Sequence, residues 1–285
     1  MTSTVFLLVL VSAISHAAWN FAARKAVGNL VAIWLGLWLG SAIIFPVVIG
    51  IIAYQGLPDT VSVESISCIL ATGLIHSAYF RLVAAGYEHG EISLVYPIAR
   101  GSGIAVTAIL ASLLFKENFS MLGSVGIVLI SVGIIILGAA ENRKAKDAKA
   151  IILALSIGST IVAYSLTDKM GVRYTNPVIY IWFMFLIAAI LLTPMVVKRH
   201  FRTLGQLARQ YMSHAIIIGV GSIATYLIIL YAFTMGQVGY IVAVREMAVV
   251  LGSLAGIIFL KERFTLAKAA AIPTIVIGIL FIKLS

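Results

Sequence analysis

Long apolar stretches alternate with short polar ones along almost the whole chain. Each apolar stretch has about 20 residues, the length that an α-helix needs to cross a hydrocarbon core about 30 Å thick. Backbone groups in lipid must be hydrogen-bonded within the protein, so such stretches form helices. The pattern predicts ten spans, at about 3–23, 30–53, 65–86, 91–114, 119–139, 150–168, 176–197, 213–234, 238–259 and 265–283.

The region around Arg100 and the region around Arg245 resemble each other at one constant spacing. The same spacing matches Lys116 with Lys261, Glu117 with Glu262, Phe119 with Phe264 and Gly133 with Gly278. This predicts two repeated units of five helices, 3–139 and 150–283. Because five is odd, the second unit enters the membrane in the opposite orientation. Inverted repeats of this kind are typical of transporters, with the substrate site at the midplane between them. Chance similarity among apolar helices is the alternative.

Composition places the chain among all-α polytopic membrane proteins. Of its 285 residues, 62% are hydrophobic and 11% charged, and the mean hydropathy is +1.11. A soluble chain would carry about a quarter charged residues. The net charge of +10 does not indicate nucleic-acid binding, because the basic residues lie mainly in short connections between apolar stretches. The single cysteine, Cys68, excludes an internal disulfide.

The distribution of lysine and arginine predicts the topology. One set of connections holds most of them, at 24–25, 140–149, 198–211 and 261–263. The basic side is cytoplasmic in most membrane proteins. We therefore expect both termini outside the cytoplasm of a cell whose inner (plasma) membrane holds the protein. The segment 198–211 is expected to form either a basic helix on the membrane surface or a solvated loop.

Arg100 and Arg245 lie well inside predicted spans. A guanidinium there costs about 2.5–3.5 kcal/mol or more, so it is rarely present without a partner or a task. Its planar fork of donors fits a carboxylate, phosphonate or phosphate. The alternative is a salt bridge that locks two helices. Glu246 points about 100° away from Arg245 around a helix, so Arg100 or His76 is its expected partner.

Other side chains are candidates to line a central cavity. His16, Trp19 and Asn20 are spaced i, i+3 and i+4, so they share one helix face; hydrogen bonding between helices is the alternative role. The further candidates are His76, Tyr79, Tyr96, Tyr164 and Tyr226, with Tyr231 and Trp182 also expected to face the cavity. Pro97 is expected to kink the helix beside Arg100, and Asp168 is expected at the membrane interface.

Three of these residues are candidates for coupling transport to an ion. Glu246, His16 and His76 are titratable. A histidine titrates near neutral pH, and burial can bring a glutamate into the same range.

Other chemistries have little support. The sequence has no glycine-rich phosphate loop ending in Gly-Lys-Ser/Thr and no His-Glu-x-x-His motif. Gly101-Ser102-Gly103 lacks the full nucleophile elbow, and no acidic cluster suits a metal. We therefore expect a protein that is not an enzyme and that has no cofactor and no metal site. The Gly252-x-x-x-Gly256 spacing fits either packing within one chain or a homodimer.

The repeated ends of the two halves, LLFKENFSMLGSVGIVLISVGIIILG and IIFLKERFTLAKAAAIPTIVIGILFIK, resemble the EamA-like transporters of the drug/metabolite transporter superfamily. The resemblance extends over the whole chain and implies ten helices and transport by alternating access, as a gradient-coupled carrier or an exchanger. The segments ISHAAWNFAARKA and SLVYPIARGSG are similar to a subgroup of permeases found near phosphonate-catabolism functions.

Together these observations predict a secondary active transporter of a small anionic or zwitterionic metabolite, with Arg100 and Arg245 as its anchors. The expected partners are that substrate, membrane lipids, and a coupled proton or counter-substrate. One alternative is an exporter of aromatic or hydrophobic compounds, including drugs, in which the arginines are structural. Another, from a different class, is a lipid scramblase or flippase.

Overall fold

The structure is a computed structural model that describes residues 1–26, 29–56, 62–89, 92–141 and 148–285. Every regular element in that part of the chain is a helix. The helices are α1 Ser3–Ala22, α2 Leu30–Gln55, α3 Val63–His89, α4 Ile92–Phe115, α5 Met121–Glu141, α6 Ala148–Gly171, α7 Pro177–His200, α8 Leu204–Met235, α9 Val238–Val244, α10 Met247–Leu260 and α11 Leu266–Leu284. A short 3-10 turn, Arg24–Ala26, follows α1.

Within the described residues, ten segments are long and apolar enough to cross a membrane, with α9 and α10 counted together as Val238–Leu260. The all-helical fold and the ten spans are therefore confirmed, and most predicted boundaries lie within a few residues of the observed ones. Residues 142–147, the centre of the predicted basic connection at 140–149, lie outside the described residues.

Helix α8 begins at Leu204, well before the predicted start. The basic segment 198–211 is therefore neither a separate surface helix nor a loop, and both expectations are wrong. It is divided between the end of α7, a turn at 201–203 and the first turns of α8. Leu204, Leu207 and Tyr211 are partly buried against the bundle. Their spacing gives this basic stretch one apolar helical face, which continues α8 beyond the span.

The two Lys-Glu turns have the same backbone geometry. Lys116 and Lys261 both adopt the left-handed conformation, with φ of 55°. The amides of the glutamates that follow them donate to the carbonyls of Ala111 and Gly256, at 3.4 and 3.2 Å. A left-handed residue other than glycine is uncommon, so its presence at both turns is a specific similarity between the halves.

The carboxylates of these two turns have different surroundings. Glu117 is buried and caps α9, because its oxygens accept from the amides of Val238 at 2.8 Å and Gly239 at 3.3 Å. A negative charge is favourable at a helix N-terminus. Lys169 closes the same corner by donating to two carbonyls at the end of α8. Glu262 is instead exposed, so only the first turn forms a closed corner of this kind among the described residues.

Helices from the two halves of the chain interleave. Helix α5 packs along α11, and α2 packs along α7. Three further sets of contacts between the halves are corresponding pairs: α2 with α8 and α3 with α7, α1 with α8 and α3 with α6, and α1 with α10 and α4 with α6. The buried core therefore lies where the halves meet, and the centre of the bundle is lined by helices from both.

Glycine allows the closest of these helix crossings. A Cβ atom on Gly126 would lie 2.6 Å from the carbonyl oxygen of Gly278, so only glycine fits where α5 crosses α11. Gly36 and Gly219 meet in the same way between α2 and α8. Nothing lies within 4 Å of a Cβ atom placed on Gly252. Gly252 therefore does not pack against any of the described residues, unlike Gly256, which lies close to Glu262.

The ninth span is interrupted at Arg245 and Glu246, between α9 and α10. The amides of Glu246, Ala248 and Val249 there donate to carbonyls three residues earlier, as in a 3-10 turn. The sequence predicts a kink at Pro97 in the first half, and that kink stays a prediction, since α4 runs through Pro97 as one helix. The break at Arg245, where there is no proline, was not predicted.

Candidate binding cavity

A cavity of about 170 Å³ lies at the centre of the bundle, between α1–α4, α6–α8 and the α9–α10 break. An engineered apolar cavity of about 150 Å³ binds benzene, so this volume suits a small metabolite. Its lining includes every predicted substrate-binding residue: His16, Trp19, Asn20, His76, Tyr79, Tyr96, Arg100, Tyr164, Tyr226 and Arg245. The helical spacings therefore identified side chains that share one cavity, whereas their role in binding stays a prediction.

Arg100 is paired with a carboxylate. Its Nε donates to Oε2 of Glu246 at 3.1 Å, and its Nη2 donates to Oε1 of the same residue. Both residues are buried, with Glu246 0% exposed. Two parallel bonds between a guanidinium and a carboxylate fix their mutual orientation. Removing one partner of such a pair leaves an uncompensated buried charge, at a cost of about 3–5 kcal/mol.

Arg245 lacks a comparable partner. Its guanidinium carbon lies 5.2 Å from the centre of the Tyr226 ring, a cation–π contact. Its Nε is buried and has no hydrogen-bond partner in the protein, and it makes no ion pair with any described residue. Buried polar atoms are nearly always hydrogen-bonded, so this donor is available to a molecule in the cavity.

The cluster on α1 adds two more such atoms. His16 Nδ1 and Trp19 Nε1 are buried without a hydrogen-bond partner. Their rings meet edge to face, with centroids 5.1 Å apart. The amide nitrogen of Asn20 donates to the carbonyl of His16 at 2.9 Å. The i, i+3, i+4 spacing therefore does place the three side chains together at the cavity.

Aromatic rings form another part of the cavity wall. His76 stacks on Tyr164 with centroids 4.5 Å apart, and Tyr164 meets Tyr79 and Tyr226 edge to face. Tyr96 lies under the Arg100 guanidinium at 5.9 Å. Such rings offer apolar area and negative faces that attract a cation.

Two expected cavity residues lie elsewhere. Tyr231 is 40% exposed, so it lies on the outer surface of the bundle. Trp182 donates from Nε1 to the carbonyl of Ser41 at 3.1 Å and packs on Phe45. Both predictions are wrong because these side chains point away from the centre: Tyr231 follows Tyr226 by five residues, which is well over one helical turn.

Sequence reasoning misplaced a second fully buried carboxylate, which lies beside the cavity. Asp168 is 0% exposed. Its Oδ1 accepts from Thr72 Oγ1 at 2.5 Å and from the Tyr180 hydroxyl at 2.8 Å, and its Oδ2 accepts from the Tyr226 hydroxyl. The interfacial placement is wrong because α6 continues to Gly171, which moves Asp168 into the bundle. The i, i+4 spacing from Tyr164, already assigned to the cavity, was the available signal.

Comparison with known proteins agrees with the class that this fold defines, a multi-pass membrane protein. Residues 148–284 match the EamA-like transporter family. The chain is also similar to a solved crystal structure of another protein, at 15% identity and a TM-score of 0.76, over 100% of this chain and 98% of that one. At such low identity the similarity shows the fold alone. A comparison with curated proteins gave no match. The phosphonate-associated subgroup stays a prediction.

Proposed function

We propose that this protein is a secondary transporter that carries a small anionic or zwitterionic metabolite across the inner membrane by alternating access. The match of the second half to a transporter family supports transport as the activity. The chemistry of the central cavity supports the charge of the substrate.

One observation carries the proposal. Four buried side-chain atoms in the described residues have no hydrogen-bond partner, and three of them belong to cavity side chains: His16 Nδ1, Trp19 Nε1 and Arg245 Nε. An unsatisfied buried polar group costs about 1–3 kcal/mol. Two of the three can only donate, since indole and guanidinium groups have no acceptor. A ligand with several acceptor oxygens would satisfy them together.

The proposed site uses the two arginines differently. Arg245 holds the anionic group directly, with Trp19 and His16 bonding to further oxygens. Arg100 adds positive charge to the wall while Glu246 holds it in place. An ammonium group on a zwitterion would lie against the faces of Tyr79 and Tyr164, because aromatic faces attract cations.

The two units 3–139 and 150–283 are proposed to be inverted repeats that rock around this site. The corresponding helix pairs and the shared left-handed lysine turns support this. The cavity lining reaches Ala26, beside Arg24 and Lys25, at the end of the bundle expected to be cytoplasmic. The closed corner of Glu117 lies at the other end. With both termini outside the cytoplasm, the structure would be the inward-facing state.

Thermal unfolding of the purified protein with a ligand panel tests the proposal. The panel contains acetate, glycine, 2-aminoethylphosphonate, glycerol phosphate and a quaternary-ammonium drug. A ligand at 100 times its Kd stabilises the folded state by about 2.7 kcal/mol. We expect an anion or zwitterion to raise the Tm of the wild type but not of Arg245→Ala.

Arg199→Ala is the matched control, since Arg199 is 57% exposed and pairs with Glu88 at the surface. It should respond as the wild type does. Stabilisation that Arg245→Ala retains in full would contradict the anchor role.

A second candidate follows from the aromatic wall of the cavity. Trp19, Tyr79, Phe80, Tyr96 and Tyr164 would suit an aromatic or hydrophobic compound, with the arginines purely structural. Stabilisation by the drug or by indole, unchanged in Arg245→Ala, would favour this export function. Movement of a labelled lipid across liposomes that contain the protein would instead favour a scramblase.

A further inference from the structure

Asp168 is the one buried carboxylate near the cavity that no cation pairs with in the described residues. Three neutral hydroxyls, those of Thr72, Tyr180 and Tyr226, donate to it. Hydroxyl donors stabilise a carboxylate without neutralising its charge. A buried charge is normally paired, so the charge of Asp168 must be balanced at a distance or removed by a proton.

The positive and negative charges around the cavity are equal in number if Asp168 is ionised. Arg100 is neutralised by Glu246. Lys169, next to Asp168 on α6, points away and donates to carbonyls at the end of α8. Arg245 is the remaining cation, and the Tyr226 ring separates it from Asp168, with its hydroxyl on Asp168 and its face under the guanidinium.

The other titratable groups that face Asp168 add no charge in their neutral forms, so the charge balance between Asp168 and Arg245 is unchanged. They are Cys68 and His76 from α3, Tyr164 from α6, Tyr180 from α7 and Tyr226 from α8. Helices α4 and α9 also pack on α6. The charged group of α4 is Arg100, which is paired with Glu246. The tyrosine of α9, Tyr240, accepts from the amide of Ser120 and not from a group near Asp168.

A chain of hydrogen bonds connects Asp168 to the cavity. His76 lines the cavity, and its Nδ1 lies 3.0 Å from Thr72 Oγ1. Because the Thr72 hydroxyl donates to Asp168, it accepts from a protonated Nδ1. His76 first takes a proton from the cavity at Nε2 and becomes an imidazolium. Its Nδ1 proton then passes to Thr72 Oγ1 as the Thr72 hydroxyl proton passes to Oδ1, which protonates Asp168 and leaves His76 as the other neutral tautomer.

We propose that Asp168 carries the coupled proton: it is ionised in the empty transporter and takes up one proton when an anion occupies Arg245. The inference rests on the proposed function and names its coupling ion. An anion on Arg245 would otherwise leave Asp168 as an uncompensated charge in a membrane interior. Glu246, a coupling candidate from the sequence, is held in its pair with Arg100, and His16 has no carboxylate partner.

The first test needs no ligand. Infrared spectra of the detergent-solubilised protein at neutral pH report the C=O stretch of a protonated carboxyl. Arg245→Ala removes the balancing cation, so this variant should gain one such band, and Arg245→Ala/Asp168→Asn should lose it again. Glu117→Gln, which removes a buried carboxylate outside the cavity, should not change the band. No band in Arg245→Ala, or an Asp168 band already present in the wild type, would overturn the proposal.

The second test uses liposomes and whichever of acetate, glycine, 2-aminoethylphosphonate and glycerol phosphate stabilises the wild type. Each probe molecule taken up should be accompanied by about one proton, which acidifies the weakly buffered lumen of the liposomes. Asp168→Asn should still exchange the probe but respond to an imposed pH gradient at least 10-fold less. An undiminished response would overturn the proposal. If no probe stabilises the wild type, the proposed function fails, and the infrared test still decides the state of Asp168.

Discussion

Arg100 and Arg245 occupy matching places in the two halves of the chain but have different surroundings. Arg100 lies in a continuous helix, and Glu246 accepts from it twice. Arg245 lies in a helix break and rests on an aromatic ring with a donor unpaired. In the proposed function, Arg100 ties the halves together through Glu246 and Arg245 takes the ligand.

The difference originates in one residue. Glu246 follows Arg245, whereas Gly101 follows Arg100. Adjacent helical residues point about 100° apart, so Glu246 cannot serve the arginine beside it and instead reaches Arg100 on α4. The 3-10 turn at the break tightens the backbone where both residues leave the helix. A single acidic residue in one half therefore makes the arginines unequal.

Among the variants that test the difference between the two arginines, Glu246→Gln should have the largest effect on stability. It leaves Arg100 buried without its counter-charge, so we expect a loss of about 3–5 kcal/mol in the free energy of unfolding. Denaturant unfolding in detergent micelles measures it. The double variant Arg100→Met/Glu246→Leu should recover most of the loss, because paired apolar residues replace a buried ion pair well. A stable Glu246→Gln protein would show that the pair is not structural.

Arg245→Met should weaken binding and leave the fold intact. Hydrogen bonds to charged groups contribute about 1.5–3 kcal/mol, so we expect about a 10- to 150-fold increase in the Kd of the stabilising anion. Isothermal titration calorimetry measures the Kd. The Tm without ligand should fall much less than in Glu246→Gln, because Arg245 has no hydrogen-bonded or ion-paired partner in the described residues and loses only its contact with the Tyr226 ring. A large fall in that Tm would instead indicate a structural role for Arg245.

Tyr226→Phe separates the two contacts of one residue. The ring under Arg245 remains, while Asp168 loses one of its three donors. An unsatisfied buried acceptor costs about 1–3 kcal/mol, so the free energy of unfolding should fall by about that amount. Tyr231→Phe, on the exposed face of the same helix, is the control and should change it by less than about 0.5 kcal/mol. Equal effects of the two variants would argue against the Asp168 network.

Trp19→Phe should have the smallest effect. It removes one unpaired donor from the cavity and replaces the indole by a smaller ring, so the Kd of the stabilising anion should rise by about fivefold, or about 1 kcal/mol. Trp34→Phe is the control, because the indole Nε1 of Trp34 already donates to Thr193 Oγ1 at 2.8 Å. That control should leave the Kd unchanged. A Kd unaffected in both variants would remove Trp19 from the proposed site.

Much of this fold could be predicted from the sequence, because the membrane fixes both the length of a span and its secondary structure. The helical spacing of His16, Trp19 and Asn20 was also sufficient to place them on one cavity wall. Asp168 was missed since its burial depends on an extra turn of α6 and on hydroxyls from three other helices. The break at Arg245 was missed for a similar reason: no proline marks it in the sequence, and it depends on tertiary contacts.

The central claim is that Arg245, and not the Arg100–Glu246 pair, takes the anionic group. The most direct test compares the Kd of the stabilising anion for Arg245→Met and for the charge-neutral double variant Arg100→Met/Glu246→Leu. We predict an increase of 10-fold or more for Arg245→Met and a smaller one, within about fivefold, for the double variant. Unchanged binding in Arg245→Met, with binding lost in the double variant, would contradict the claim and place the anion on Arg100.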